Sequence, residues 1–143
     1  MDVNILSYPF IPGSHSPPTS AQLRAVLRSV ISLHKAGYVH GDIRASNIVF
    51  CPSSGSSQLI DFDYCGEEGK ARYPPFFNPI ISDGKRHDGA SSGALLRKEH
   101  DYFALASAFS QFQPREKRKA YLAVCESINE GCGRRTGSSE EAL

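Results

Sequence analysis

The chain has 143 residues, of which 40% are hydrophobic and 22% are charged, a composition typical of one soluble domain. Its 16 lysines and arginines are balanced by 15 acidic residues, which leaves a formal net charge of +1 and argues against nucleic acid or a membrane as a bulk partner. No signal peptide is visible at the start, and no stretch approaches the ~20 apolar residues of a membrane span.

The first segment, residues 1–11, is rich in β-branched and aromatic side chains and predicts one edge strand broken at Pro9. A proline- and glycine-rich loop follows. Thr19 or Ser20 can then cap a helix that runs to Ala36 and stops at Gly37. Its apolar positions recur at helical spacing, which gives one buried face. They are Leu23, Val26, Leu27, Val30, Ile31 and His34.

The stretch from Tyr38 to Tyr64 predicts a β-hairpin, because two short apolar runs, residues 48–50 and 58–60, flank a Ser/Gly/Pro turn. Asp42 and Asn47 precede the first run, and Asp61 follows the second. A hairpin brings these three side chains to one edge. Carboxylate and amide oxygens suit Mg²⁺ together with substrate phosphates. Asp42 is then available to accept a proton from an attacking hydroxyl.

Residues 40–47, H-G-D-I-R-A-S-N, resemble the catalytic loop H-R-D-L-K-x-x-N of protein kinases, and residues 61–63, D-F-D, resemble their D-F-G. His-Gly-Asp also occurs in aminoglycoside-phosphotransferase-like relatives, so the resemblance is to the wider protein-kinase-like superfamily. It implies an α+β fold, the mainly helical large lobe, with a small β-hairpin that carries the catalytic loop. The domain is expected over residues 1–130, with a hinge remnant at its start and a disordered tail over residues 131–143.

The resemblance implies a role for each matching residue of the candidate site. Asp42 would be the catalytic base, and Asn47 and Asp61 would bind Mg²⁺ and hence the ATP phosphates. Arg44 stands where the family has a lysine that steadies the transferred phosphate; a solvated surface arginine is the alternative. The implied cofactors are ATP and Mg²⁺, and the implied acceptor is a protein Ser or Thr hydroxyl.

Two further residues are implied to support the catalytic loop. His40 is expected to pack under the Asp61 region, with an acid–base role as the alternative. The run from Glu99 to Phe109 predicts a buried helix that resembles the D-x-W-S-L-G helix of kinases. Its Asp101 should be buried and accept hydrogen bonds from backbone N–H groups near His40 and Gly41. The alternative is a helix N-terminal carboxylate favoured by the helix dipole.

The sequence departs from the family pattern at several points. Gly41 replaces the arginine that pairs with an activation-segment phosphate. Asp63 replaces the glycine that gives the motif its freedom at positive φ, which Asp tolerates better than most residues. Residues 66–69 predict a short activation loop. Residues 72–79, rich in aromatic residues and proline, predict either a rigid wall or a partner groove. Residues 82–93 predict a mobile loop.

The remaining sequence predicts a helix over residues 115–130, with a solvated basic start or a phosphate patch. No C-x-x-C pair or zinc spacing occurs among Cys51, Cys65, Cys125 and Cys132. They predict reduced thiols in a cytoplasmic, or alternatively nuclear, protein; a zinc site with His40 or His100 is the other interpretation.

Neither a G-x-G-x-x-G loop nor a V-A-I-K-type strand lysine is found in the chain. The sequence therefore predicts a truncated or partial kinase-like domain. Two functions stay open at this stage. The first is a phosphotransferase, and the second is an inactive pseudokinase or scaffold that presents residues 72–79 to a protein partner.

Overall fold

The computed structural model describes residues 10–13, 17–78, 80, 85–114, 118–119, 123 and 126. In chain order, its regular elements are α1 (Ser20–Lys35), β1 (Tyr38–Val39), a 3₁₀ turn (Ala45–Asn47), β2 (Ile48–Phe50), β3 (Ser57–Leu59), β4 (Gly66–Glu67) and α2 (Lys98–Gln111). The predicted strand before Pro9 with its hinge remnant, most of the helix predicted over residues 115–130, and the predicted tail lie outside the described residues. None of the described helices combines the length and the apolar character needed to cross a membrane.

Helix α1 begins and ends where the sequence predicts. The Thr19 hydroxyl accepts the backbone N–H of Gln22 at 3.2 Å, and the Gln22 side chain accepts the backbone N–H of Thr19 at 3.0 Å. This capping box satisfies two donors that have no partner within the helix. At the other end, Gly37 adopts φ 86°, a conformation that only glycine adopts without a steric penalty.

The predicted hairpin is confirmed, with β2 antiparallel to β3 and Ile48 opposite Leu59. Gln22 ties α1 to the hairpin, because its amide nitrogen donates to the carbonyl oxygens of Cys51 and Ser56, both at 3.3 Å. The main apolar core lies between α1, the hairpin and α2. Its buried members are Leu23, Val26, Val30, Ile43, Ile48, Phe50, Ala104, Leu105 and Ala108. Leu27 is 36% exposed, so the predicted apolar face of α1 is narrower than expected.

A second small sheet was not predicted. Strand β1 pairs with β4 in antiparallel fashion, with Val39 opposite Gly66. The sequence prediction of a loop across residues 66–69 is wrong for Gly66–Glu67, because a strand of two residues leaves no alternating pattern to detect. This pairing fixes the segment after the hairpin against the strand that leads into the candidate catalytic loop.

The chain after β4 packs as a second core cluster around Tyr73, Phe77 and Leu96, which are 3%, 4% and 1% exposed. Residues 72–78 therefore form a wall, as one of the two interpretations predicted, although Phe76 is 97% exposed. Residues 85–93 contain no regular helix or strand, as the composition predicts, although His87 and Ala90 are 4% and 5% exposed. The mobility of this loop stays a prediction. The larger prediction, a kinase-like large lobe, stays a prediction.

Candidate functional site

The side chain of Asp101 holds the start of the candidate catalytic loop. Asp101 is 1% exposed. Its Oδ2 accepts the backbone N–H of His40 at 2.8 Å, and its Oδ1 accepts that of Gly41 at 2.9 Å. These contacts confirm the predicted position of Asp101. A carboxylate that only complemented the helix dipole would not need such donors.

His34 is a partner of Asp101 that the sequence analysis did not identify. Its Nε2 lies 2.8 Å from Asp101 Oδ2, with both side chains buried. The sequence placed His34 correctly on the buried face of α1. The sequence signal for this contact was the position of His34 on the predicted buried face of α1, because a buried imidazole ring needs a hydrogen-bond partner. The contact joins α1, α2 and the catalytic loop at one carboxylate.

His40 is fully buried beneath the segment that contains Asp61, as predicted. Its Nε2 is 3.2 Å from the carbonyl oxygen of Ile60, and its ring centroid is 4.6 Å from that of Phe62. The Asp42 backbone N–H donates to its Nδ1 at 3.3 Å, so Nε2 carries the proton in the neutral ring. Burial lowers the pKa of His40 below its ordinary value. This effect outweighs the negative charge of Asp101, which raises the pKa. Both nitrogens are occupied by backbone groups, which favours bracing over acid–base chemistry.

Asn47 and Asp42 are joined by side-chain and backbone bonds. The Asn47 Nδ2 donates to the Asp42 carbonyl oxygen at 2.9 Å and to Asp42 Oδ2 at 3.1 Å. Both residues are buried, at 4% and 6% exposure. Since the amide nitrogen faces Asp42, the Asn47 Oδ1 is the atom that could bind a metal ion. One hydrogen bond thus orients both the candidate base and a candidate metal ligand.

Two arginines also lie on the Asp42 carboxylate. Arg44 Nε is 3.5 Å from Oδ2, and its side chain is 32% exposed. Arg86 Nη2 donates to Oδ1 at 2.6 Å, and its side chain is 9% exposed. The sequence analysis missed Arg86, because it lies in a stretch whose composition predicts only a loop. The sequence contains no local signal for this contact, which joins residues 44 positions apart.

Asp61 is exposed and directly follows Ile60, whose backbone N–H donates to the Asn47 carbonyl oxygen at 3.0 Å. The Asp61 backbone has φ 63°. In the family motif the freedom at positive φ belongs to the position of Asp63, but among the described non-glycine residues a positive φ is found at Asp61. Asp is one of the few residues that visit this region routinely. The charges of Asp101, Asp42 and Asp61 all oppose the lowering of the His40 pKa by burial.

The candidate metal ligands are a carboxylate and an amide, Asp61 and Asn47, a set that fits Mg²⁺ completed by phosphate and water oxygens. In the described part of the chain, no group of three or more His, Cys, Asp or Glu residues could hold a metal ion. The alternative zinc site at His40 or His100 therefore has no support there. Cys51 and Cys65 are free thiols; Cys125 and Cys132 lie outside the described residues. The predicted closeness of the Asp61 and Asn47 oxygens stays a prediction.

Comparison with known proteins gives one partial similarity. Over 52 residues, the chain is 38% identical to the glycogen synthase kinase-3 homolog YGK3 of Saccharomyces cerevisiae. The match spans 35% of this chain and 14% of the yeast protein. No protein-family profile matches the chain. The similarity indicates a protein-kinase-like relationship at most.

Proposed function

We propose that this chain carries the catalytic-loop part of a protein-kinase-like phosphotransferase, which moves a phosphoryl group from ATP-Mg to a protein Ser or Thr hydroxyl. The observation that carries the proposal is the hydrogen bond from Asn47 Nδ2 to Asp42 Oδ2 at 3.1 Å. This bond fixes the carboxylate of the candidate base Asp42 and leaves the Asn47 Oδ1 available as a metal ligand. The partial similarity to a yeast kinase homolog supports the same class of chemistry.

In this proposal, Asp42 accepts the proton of the acceptor hydroxyl. Each carboxylate oxygen has two lone pairs, so Asp42 can accept that proton while Asn47 and Arg86 hold the carboxylate. Asn47 Oδ1 and the Asp61 carboxylate would hold Mg²⁺, which when bound neutralises charge on the nucleotide phosphates. Arg44, beside Asp42, stabilises the transferred phosphoryl group with a planar guanidinium.

The supporting contacts account for the rigidity that this chemistry needs. Phosphoryl transfer depends mainly on positioning and electrostatics. Asp101 holds the backbone at His40 and Gly41, and His40 holds the backbone at Ile60, next to Asp61. The base and the candidate metal ligands are therefore tied to the same buried frame.

Calorimetric titration of the 143-residue chain with ATP-Mg tests the proposal. We expect a dissociation constant of about 1 mM or weaker, because the chain contains no glycine-rich loop or strand lysine to cover the phosphates. Asp61→Asn should abolish the binding. Asp63→Asn, which changes another exposed carboxylate two residues away, should leave it unchanged. Equal binding by the wild type and Asp61→Asn contradicts the proposal.

The scaffold function is the second candidate, and one observation favours it. Phe76 is 97% exposed between the buried residues Tyr73 and Phe77, and Ile80, four positions further on, is 81% exposed. A patch of exposed apolar side chains marks a contact surface when it is contiguous. Wild-type chain that is folded by circular dichroism but binds no ATP at millimolar concentration favours this alternative over catalysis.

A further inference from the structure

Arg86 is held in place by three kinds of contact. Its Nη2 donates to Asp42 Oδ1 at 2.6 Å, and its Nε donates to the carbonyl oxygen of Asn78 at 3.1 Å. The guanidinium carbon lies 4.2 Å from the centroid of the Phe77 ring, within the range of a cation–π interaction. The guanidinium is therefore fixed before any ligand arrives, which lowers the entropy lost on binding.

Two cations lie beside the Asp42 carboxylate. Arg44 and Arg86 both lie on this one carboxylate, and arginine stays protonated in proteins. The three side chains therefore carry a formal charge of +1. The side chains of Asp42 and Arg86 are only 8% and 9% exposed, so solvent screens this charge less than it would on an open surface.

The neighbouring carboxylates are engaged or exposed to solvent. Asp101 accepts two backbone N–H groups and contacts His34. Asp61 is exposed. Within the described residues, the bonds of Arg86 use two of its five N–H groups. The planar guanidinium of Arg86 has further N–H donors. It therefore suits the several oxygens of an oxyanion better than the single carboxylate oxygen that it contacts.

We propose that Arg86 and Arg44 form an oxyanion site over Asp42 that takes a phosphate-type group, with Arg86 as its fixed cation. The site rests on the proposed function only for the identity of its physiological ligand. Arg86 is the specificity-determining residue, since nothing in the catalytic-loop motif supplies a second cation at the base. The oxyanion shares Arg86 with Asp42, so the carboxylate and the anion compete for the same guanidinium.

Titration of the 143-residue chain with inorganic phosphate, followed by ³¹P NMR at low ionic strength, tests the site. The wild type should show saturable binding in the millimolar range. Arg86→Gln should weaken it by at least about fivefold, because charge-assisted bidentate bonds are lost. Arg86→Lys keeps the charge but not the fork and should bind more weakly than the wild type. Arg28→Gln removes an equal charge from an exposed position on α1 and should have no effect.

The Asp42→Asn variant should change phosphate affinity in the opposite direction. Without the competing carboxylate, phosphate binding should tighten by about fivefold. Equal phosphate affinity in the wild type and in folded Arg86→Gln overturns the proposal, and so does the absence of saturable binding in both the wild type and Asp42→Asn. Circular dichroism of each variant identifies those that keep the fold.

Added ATP-Mg identifies the source of the oxyanion. Loss of the bound phosphate signal assigns the site to the terminal phosphate of the nucleotide, and retention assigns it to a separate phosphate-type ligand. The two proposals fail separately. Phosphate binding through Arg86 without Asp61-dependent ATP-Mg binding supports the oxyanion site and contradicts the proposed function. ATP-Mg binding that depends on Asp61, without phosphate binding through Arg86, overturns the oxyanion site and leaves the proposed function in place.

Discussion

Asp101 Oδ2 accepts the backbone N–H of His40 at 2.8 Å, although 61 positions separate the two residues in the chain. The bond places the first turn of α2 directly beneath the candidate catalytic loop. Because Oδ1 takes the next N–H, that of Gly41, the carboxylate holds two consecutive peptide groups. The position of the candidate base Asp42 therefore depends on a helix outside the loop.

Replacement of Asp101 by alanine should destabilise the protein. Asp101→Ala leaves buried backbone donors at His40 and Gly41 unpaired, so the free energy of unfolding should fall by about 1–3 kcal/mol. Chemical denaturation followed by circular dichroism measures this. Glu99→Ala, which removes a carboxylate from the same first turn, should cost no more than about 1 kcal/mol. Equal losses for the two variants would show that Asp101 acts only through the helix dipole.

Gly41→Ala should destabilise the loop through both conformation and space. Gly41 has φ 80°, and a Cβ atom there would lie 3.0 Å from the carbonyl oxygen of Tyr64. Gly55 has φ 64° with nothing within 4 Å of such a Cβ. Both variants incur the left-handed penalty of about 1–2 kcal/mol, but Gly41→Ala should lose more stability because it also crowds Tyr64. Thermal denaturation compares them, and an equal loss contradicts the close approach at Gly41.

Stability should fall in acid because of His100. His100 is buried, and burial, followed by the neighbouring His87, lowers its pKa to about 4 from an ordinary value of 6.5. The Tyr73 hydroxyl lies 3.2 Å from its Nδ1. Between pH 6.5 and pH 4, the unfolded chain binds the proton and the folded chain does not. The contribution of neutral His100 to the free energy of unfolding is therefore fully present above pH 6.5. It is lost as the pH falls towards 4, by up to about 3 kcal/mol.

The free energy of unfolding, measured by urea denaturation between pH 7.5 and pH 4.5, checks the histidine prediction. His100→Asn should reduce the pH dependence by up to one proton. Tyr73→Phe should lower stability by about 1 kcal/mol through its lost hydrogen bond while keeping the pH dependence. An unchanged pH profile in His100→Asn would assign the titration to other groups.

The sequence predicts those parts of the site that depend on local pattern. The cap at Thr19, which was one of two candidates with Ser20, the stop at Gly37 and the presence of a hairpin follow from neighbouring residues and periodicity. The contact between Asp101 and the loop followed from the order of the motifs, whose resemblance supplied the expected partner. The cap, the stop and the hairpin require no knowledge of how distant segments pack. The Asp101 contact joins residues 61 positions apart, and only the resemblance predicted it.

The features that the sequence analysis missed depend on tertiary contacts. Arg86 contacts Asp42, the Asn78 carbonyl and the Phe77 ring, and neither spacing nor composition predicts these contacts. The positive φ at Asp61 has no counterpart in the sequence pattern, in which the position of the motif's glycine is Asp63. The partner of His34 lies 67 residues away, beyond the reach of any helical periodicity.

The binding of Mn²⁺-ATP, followed by amide NMR of the ¹⁵N-labelled chain, tests whether the catalytic loop holds a metal–nucleotide complex. Mn²⁺ replaces Mg²⁺ at oxygen ligands and broadens the signals of nearby nuclei. We expect the amides of Asn47 and Asp61 to broaden first. Asp61→Asn should suppress this effect, and Asp63→Asn should not. Broadening centred elsewhere, or none at about 5 mM Mn²⁺-ATP in a folded chain, would contradict a metal–nucleotide site at the catalytic loop.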